Sequence, residues 1–558
     1  MDSVVGNTQD FRSTDNTLEI DLDRTYQYGE SADFTIYYRG IPPSIGNIKG
    51  LQYRTHGNNE PVIASLSTPF LSHTWWPCKD GPGDKPDSVY VDITIPDTSV
   101  HGLPLLAVSN GILENVSNHQ NKKTFRWRHR YPIIPYYVMV AISNYQTLQD
   151  VYRGDSGEYF PIDYYVFYEH MAEAQAGIQD FPEVMRFYSA LFGPYPFQTE
   201  KYGMTQLGFY GGIENQTNTI INSLSINWFY VFVHELAHMW FGDMITCIDW
   251  HHGWLNEGFA TYAEALWVEY IGGFNAYQEK IRTHEYFEGG TLYLQDTSDP
   301  FQVFIPIIYD KGAYTLHMLR HVVGDSLFFQ SLYRYAQHPD YRYAHASTED
   351  FQSICEDVCG IDLDFFFQQW IYDAYYPIYE CHYSQNIRTG NVTATISQVQ
   401  SEYGRRPVFE MPVDLAFEYA GGGDTLVTIW NDQQVQDFVF QFDRPVLSMS
   451  LDPDRWILRE IQQEEISHID VQNYPNPFNR WTIIHFHLPE SSEVTLKIFN
   501  LMGEEVRTLV SADRLETGRH QKAWDGLDND RKPAASGVYL YHIQIDGIRL
   551  THKMILLR

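Results

Sequence analysis

His234, Glu235 and His238 stand in the order H-E-x-x-H, inside the stretch VFVHELAHMWFGD that begins at Val231. On a helix, residues four apart share a face, so two imidazole nitrogens can meet one metal ion. Glu235 projects about 100° round from His234, near enough to hold an attacking water without ligating. Eighteen residues separate His238 from Glu257, in the segment W-L-N-E-G-F-A. A zinc site built for hydrolysis takes three protein ligands and keeps one position open. His234, His238 and Glu257 supply those three for one Zn2+ per chain, with Glu235 as the candidate general base. The bland alternative is a helix carrying two satisfied core histidines, and H-E-x-x-H arises by chance in roughly one such sequence in twenty. The flanks weigh against it. Trp228, Phe229, Val231, Phe232 and Val233 read as a buried helix, where a carboxylate beside two histidines needs a metal or a partner to offset its desolvation.

The elements that must position these residues follow from periodicity. Residues 1–150 read as strands: LEIDL, DFTIYYRG, VYVDITIP and YYVMVAIS alternate or run apolar between Gly, Pro and Asn turns. Residues 151–375 switch to helical period, from FPEVMRFYSALFGPYPF into the H-E-x-x-H helix. Glu264 lies seven residues after Glu257, on the same helix face. It is either a partner that holds a ligand histidine from behind or a solvated surface acid. Residues 376–462 return to period two, and residues 463–558 form a separate β unit behind the polar stretch EEISHID. The expected class is multidomain α+β.

Three separated motifs make the sequence resemble the M1 family of zinc aminopeptidases, the gluzincins. The first is H-E-x-x-H with Glu257 at the family's spacing. The second is the family's G-x-M-E-N, present as Gly211-Gly212-Ile213-Glu214-Asn215, with Ile in place of Met. The third is Y-x-K-G-A, present as Tyr309-Asp310-Lys311-Gly312-Ala313. TWWPCKDGPGDK (Thr74–Lys85) also matches a stretch of the family's N-terminal domain.

The resemblance implies an N-terminal β-domain, a thermolysin-like catalytic domain and a small β-sandwich. It implies cleavage of the N-terminal peptide bond of peptides. Glu214, with the Gly211–Gly212 backbone, would bind the substrate's free amine, and Tyr309 would donate to the oxyanion. Thr68 stands where many relatives place an acid or amide that also reaches the amine. It brings a hydroxyl and no charge, so the grip on free N-termini should be weaker. Fewer strands align than the family's N-terminal domain usually carries, and an incomplete N-terminus is the expectation. The alternatives are an M1-type epoxide hydrolase, a zinc endopeptidase, and a non-enzymatic surface peptide-binding protein. The Gly-Gly-Ile-Glu-Asn stretch argues against the endopeptidase, and the intact Glu235 and ligand set argue against a dead site.

A formal net charge of −33 argues against nucleic acid and anionic lipid as partners. No apolar run is long enough for a transmembrane helix. The five cysteines are scattered, and Cys355 and Cys359, four apart, read as core thiols rather than a second metal site. The last unit reads as seven short strands, an immunoglobulin-like sandwich. Its opening NYPNPFN (Asn473–Asn479), the strand S-G-V-Y-L-Y and the end K-M-I-L-L resemble the sorting domains read by the type IX secretion machinery. That resemblance implies a secreted or cell-surface bacterial protein, although Met1-Asp2-Ser3 begins no signal peptide.

Overall fold

Val89–Pro96 alternates half-buried and exposed residues along VYVDITIP, as a strand with one face on a core must. The computed structural model describes residues 11–558 except 15–16, 46–47, 155–156, 210, 387–388, 401–404, 420–421, 466–470, 489–490 and 546–547. Val89–Pro96 pairs with Lys122–His129, which pairs in turn with Ile112–His119. A second, four-stranded antiparallel sheet runs in the order Leu51–His56, Glu60–Ser65, Val140–Ser143, Leu106–Ser109. Val62 and Ala64 from one sheet and Phe125 and Trp127 from the other share one buried core.

Two expected strands differ. DFTIYYRG forms none: Phe34 and Tyr37 are exposed, and no partner strand pairs with it among the described residues. In YYVMVAIS only Val140–Ser143 forms a strand, because Pro135–Tyr137 closes a 3-10 turn ahead of it. Proline at the start presets φ for that turn.

The next sheet is mixed and five-stranded. Its order is Gln146–Arg153, Tyr159–Val166, Tyr202–Gln206, Thr219–Ile221 and Gly212–Ile213. The first of these strands runs across residue 150. Tyr159–Val166 and Tyr202–Gln206 are parallel, so a crossover must join them, and the helix Phe181–Phe192 lies in it. Gly212–Ile213 is the antiparallel edge, with Gly212 opposite Ile221. Beyond this edge come the helices Phe229–Ala237, Trp254–Arg282, Pro306–Val323, Asp325–Ala336 and Thr348–Cys359. The last is held at its start by a reciprocal capping box between Ser347 and Asp350.

The chain divides into two compact units. The first is Met1–His284 with Leu292–Leu316 and Asp325–Ile361; the second is Glu285–Thr291 with His317–Gly324 and Asp362–Arg558. The second contains a four-stranded sheet (Val435–Gln441, Asn391–Gln398, Ile378–Asn386, Glu460–Glu465) and a three-stranded one (Asp424–Asn431, Met411–Tyr419, Val446–Leu451). Glu464 and Glu465, read from sequence as the start of a linker, instead pair with Cys381 and His382. From Gln472 onward, three strands (Gln472–Tyr474, Thr482–Leu488, Gly518–Trp524) and four strands (Glu505–Leu515, Ser492–Asn500, Gly537–Ile545, Ile548–Leu556) enclose a core around Trp524. None of the five cysteines is in a disulfide. Among the described residues, no helix is long and apolar enough to cross a membrane.

Candidate metal centre

The helix Phe229–Ala237 buries Phe232, Val233, Leu236 and Ala237 against the core. Its outer start is less buried than the sequence suggests, with Tyr230 half exposed. His238 caps the helix but keeps helical dihedrals, φ −56° and ψ −26°. It therefore stays on the same face as His234. Glu257 opens the long helix Trp254–Arg282, which packs across the first.

Three atoms converge. His234 Nε2 lies 3.1 Å from His238 Nε2, and Glu257 Oε2 lies 3.4 Å from the first and 3.3 Å from the second. Bonds of about 2.05 Å to a tetrahedral centre put neighbouring ligand atoms about 3.3 Å apart. The triangle therefore fits a tetrahedral ion held on one side and open on the other. The rear nitrogens agree with this. His234 Nδ1 donates to Glu264 Oε1 at 3.0 Å, and His238 Nδ1 donates to the carbonyl of Phe241 at 3.0 Å. With both Nδ1 atoms carrying the proton, both Nε2 lone pairs face the centre. Glu264 is thus the partner behind His234 rather than a solvated acid. Burial opposes protonation of both histidines. Glu257 outweighs it at both and, with Glu264 adding at His234, raises each above the ordinary imidazole range. The cluster is a field for a cation. Burial alone would raise Glu257, but His238 and His234 hold it down to about 2.

Glu235 is 5% exposed, and its Oε2 has no hydrogen-bond partner among the described residues. Burial, opposed by His234 and His238 and reinforced by Glu214 and Glu257, pushes it up to about 8. The edge strand presses on it: a β-carbon at Gly212 would run into the Glu235 carboxylate. Gly211 has φ +109°, a conformation that side chains rarely adopt. Glu214 follows this strand, and one oxygen each from Glu214, Glu235 and a His238 nitrogen lie within 4.8 Å of one another. Tyr136 donates to Glu214 Oε1 at 2.9 Å.

Tyr309 sits on the helix Pro306–Val323 with its ring stacked on His234, centroids 6.2 Å apart. Burial, with Glu257, Glu214 and Glu235 adding repulsion of a phenolate, holds its proton firmly. It reaches the centre through a crossing of two glycines. A β-carbon on Gly258 would lie 2.9 Å from the Gly312 Cα, and the converse holds at the same distance. Thr68 begins the short helical turn Thr68–Leu71; its side chain lies outside the described residues.

Sequence reasoning missed Tyr136, the Phe241 carbonyl, and the Gly258–Gly312 crossing. The glycines inside W-L-N-E-G and Y-D-K-G were the available signal for the crossing. Tyr136 carried none, since its partner is 78 residues away.

Residues 182–370 match the Peptidase family M1 domain, and residues 482–546 match the FlgD Ig-like domain. Aminopeptidase M1 of Arabidopsis thaliana is 35% identical over 163 residues, covering 26% of this chain and 18% of the relative. Aminopeptidase N of Streptomyces lividans is 32% identical over 157 residues, covering 25% and 18%. These matches therefore span less than a fifth of those relatives' length. Among solved structures, Legionella pneumophila aminopeptidase A, in complex with aspartic acid, shares the fold. Its TM-score is 0.64 at 19% identity, over 74% of this chain and 48% of that one. The M1 zinc metallopeptidase of Deinococcus radiodurans aligns at TM-score 0.57 and 25% identity, over 66% and 82%.

Proposed function

We propose that this chain, which carries a Peptidase family M1 domain over residues 182–370, is a zinc-dependent aminopeptidase hydrolysing the N-terminal peptide bond of peptides. The observation that carries the reading is the convergence of His234 Nε2, His238 Nε2 and Glu257 Oε2 at tetrahedral spacing, with the Glu214 carboxylate close by. His234, His238 and Glu257 would hold the zinc. When bound, zinc supplies a Lewis acid that activates water and polarises the scissile carbonyl.

The chain's own residues do the rest. Glu235, beside the ligand triangle and enclosed by the Gly212 edge strand, takes the proton of the attacking water and passes it to the leaving amine. Tyr309 keeps its proton and donates it in a hydrogen bond to the developing oxyanion, a contact whose loss costs about 2.7–4 kcal/mol of barrier. Glu214, held by Tyr136, receives the substrate's ammonium. An internal peptide brings no cation to that carboxylate, which makes the enzyme an exopeptidase. Gly211 and Gly212 let the edge-strand backbone approach the substrate without side chains intervening.

The C-terminal sandwich serves export in this reading. NYPNPFN and the K-M-I-L-L end support a sorting domain addressed to the type IX secretion machinery, and so a secreted or cell-surface bacterial enzyme. Dialysis against a chelator should abolish hydrolysis of an aminoacyl-naphthylamide, and one equivalent of zinc should restore it. Activity that survives complete removal of metal would refute the reading.

A further inference from the structure

The helix that supplies Glu257 meets the back of the metal centre twice. Glu264 lies before a break in Trp254–Arg282, and Lys280 lies after it. At the break Gly273 has φ 76° and ψ −177°. Glycine adopts that conformation freely, and other residues are strained by it. In an unbroken helix the sixteen steps from Glu264 to Lys280 would span roughly 24 Å. Here the chain folds back. Lys280 Nζ donates to Glu264 Oε2 at 2.8 Å, while His234 Nδ1 donates to Glu264 Oε1 at 3.0 Å. The hydroxyls of Tyr262 and Tyr277, 3.0 Å apart, brace the same reversal. The Lys280 ammonium also lies 5.3 Å from the ring centroid of Tyr230, one turn ahead of His234 on its own helix.

An exposed ion pair would mean little here. This one is largely enclosed, with the Lys280 and Glu264 side chains 20% and 13% exposed. The carboxylate is divided, one oxygen to each partner. With Oε2 held by Lys280, Oε1 is left to His234 and the carboxylate plane is fixed. Freed from Lys280, the carboxylate can turn, and His234 loses the contact that sets its ring plane.

We infer that Lys280 is a positioning residue for the metal centre, acting through Glu264 to orient His234, and that the reversal at Gly273 exists to deliver it. The inference rests on the zinc reading above. The test is zinc affinity, measured on the full chain by competition with a chromophoric chelator. Lys280→Met should weaken zinc binding about tenfold, the lower end for loss of a residue supporting a ligand histidine. Lys280→Arg should restore most of it. In a Glu264→Gln background, Lys280→Met should add less than about twofold, because the two act as one unit. Unchanged zinc affinity in folded Lys280→Met would overturn the inference, as would full additivity with Glu264→Gln. Should Lys280→Met not fold, Lys280→Gln carries the same comparison. A wild-type chain that binds no zinc would defeat the zinc reading itself, whereas normal wild-type binding with an unaffected variant defeats only the role of Lys280.

Discussion

At the scale of residues, Glu235 and Glu257 face the same centre in different roles, and substitution separates them. Glu235→Gln should keep one zinc per chain and lose at least about 100-fold in kcat, the lower end for a general base. Glu257→Gln should lose zinc. Metal analysis beside kinetics checks both; zinc lost from Glu235→Gln would mean that its role is misassigned. Gly212→Ala makes a sharper prediction. The new methyl meets the Glu235 carboxylate, so activity should fall with zinc retained. Full activity in that variant would show that Glu235 has room the structure denies it. The two histidines were legible in sequence because i, i+4 spacing on a helix converts directly into geometry. Glu257, on a separate helix, was legible only through its spacing from the H-E-x-x-H motif, and the sequence left Glu264 open between a histidine's partner and a surface acid. Tyr136 was not, since nothing local in P-Y-Y announces a hydrogen bond to a strand end far along the chain.

At the scale of elements, the site depends on two helices crossing where neither has a β-carbon. Gly258→Ala or Gly312→Ala should destabilise the protein by about 1–3 kcal/mol through overpacking. Each should also lower kcat more than it raises KM, because Tyr309 moves off the centre. A thermal melt and steady-state kinetics decide it; unchanged kcat in a stable variant would contradict the account. A second prediction concerns the helix Pro306–Val323. Burial, opposed by a hydrogen bond to the Arg455 carbonyl and aided by Arg320 and His321, pulls His317 down to about 3, from 6.5 when unfolded. A depressed pKa gives stability that is complete above 6.5 and is lost as pH falls from there toward 3. The slope is at most about 1.4 kcal/mol per pH unit. His317→Gln should therefore lose less stability than wild type between pH 7 and pH 4.5, by urea denaturation. Parallel profiles would contradict this. Periodicity found most of these elements. It failed at DFTIYYRG, whose alternation is that of a strand but which has no partner edge among the described residues. Alternation states which face is apolar, not whether a neighbour exists to pair with it.

At the scale of the molecule, every proposed site residue described, from Gly211 to Tyr309, belongs to the first compact unit. The strand Glu460–Glu465 is part of a sheet, so a truncation should fall after Glu465. A chain ended there should hydrolyse aminoacyl substrates almost as the full chain does, and should no longer reach the surface or medium of its native host. A truncated protein that purifies folded but inactive would make the C-terminal sandwich part of the catalytic architecture. The sequence marked this sandwich through its turn spacing and end motifs. The joint before it was less legible, because EEISHID is mostly polar and reads as a linker while its first two residues serve as strand.

The central claim is that His234, His238 and Glu257 would hold a zinc that supplies the Lewis acid for hydrolysis, while Glu214 binds the substrate's free amine. The most direct measurement is kcat/KM for one aminoacyl-naphthylamide and for its N-acetylated form, in wild type and in Glu214→Ala. The account predicts that wild type strongly prefers the free amine and that Glu214→Ala collapses the preference while zinc remains bound. Equal rates on both substrates in wild type, or an unchanged preference in Glu214→Ala, would contradict it.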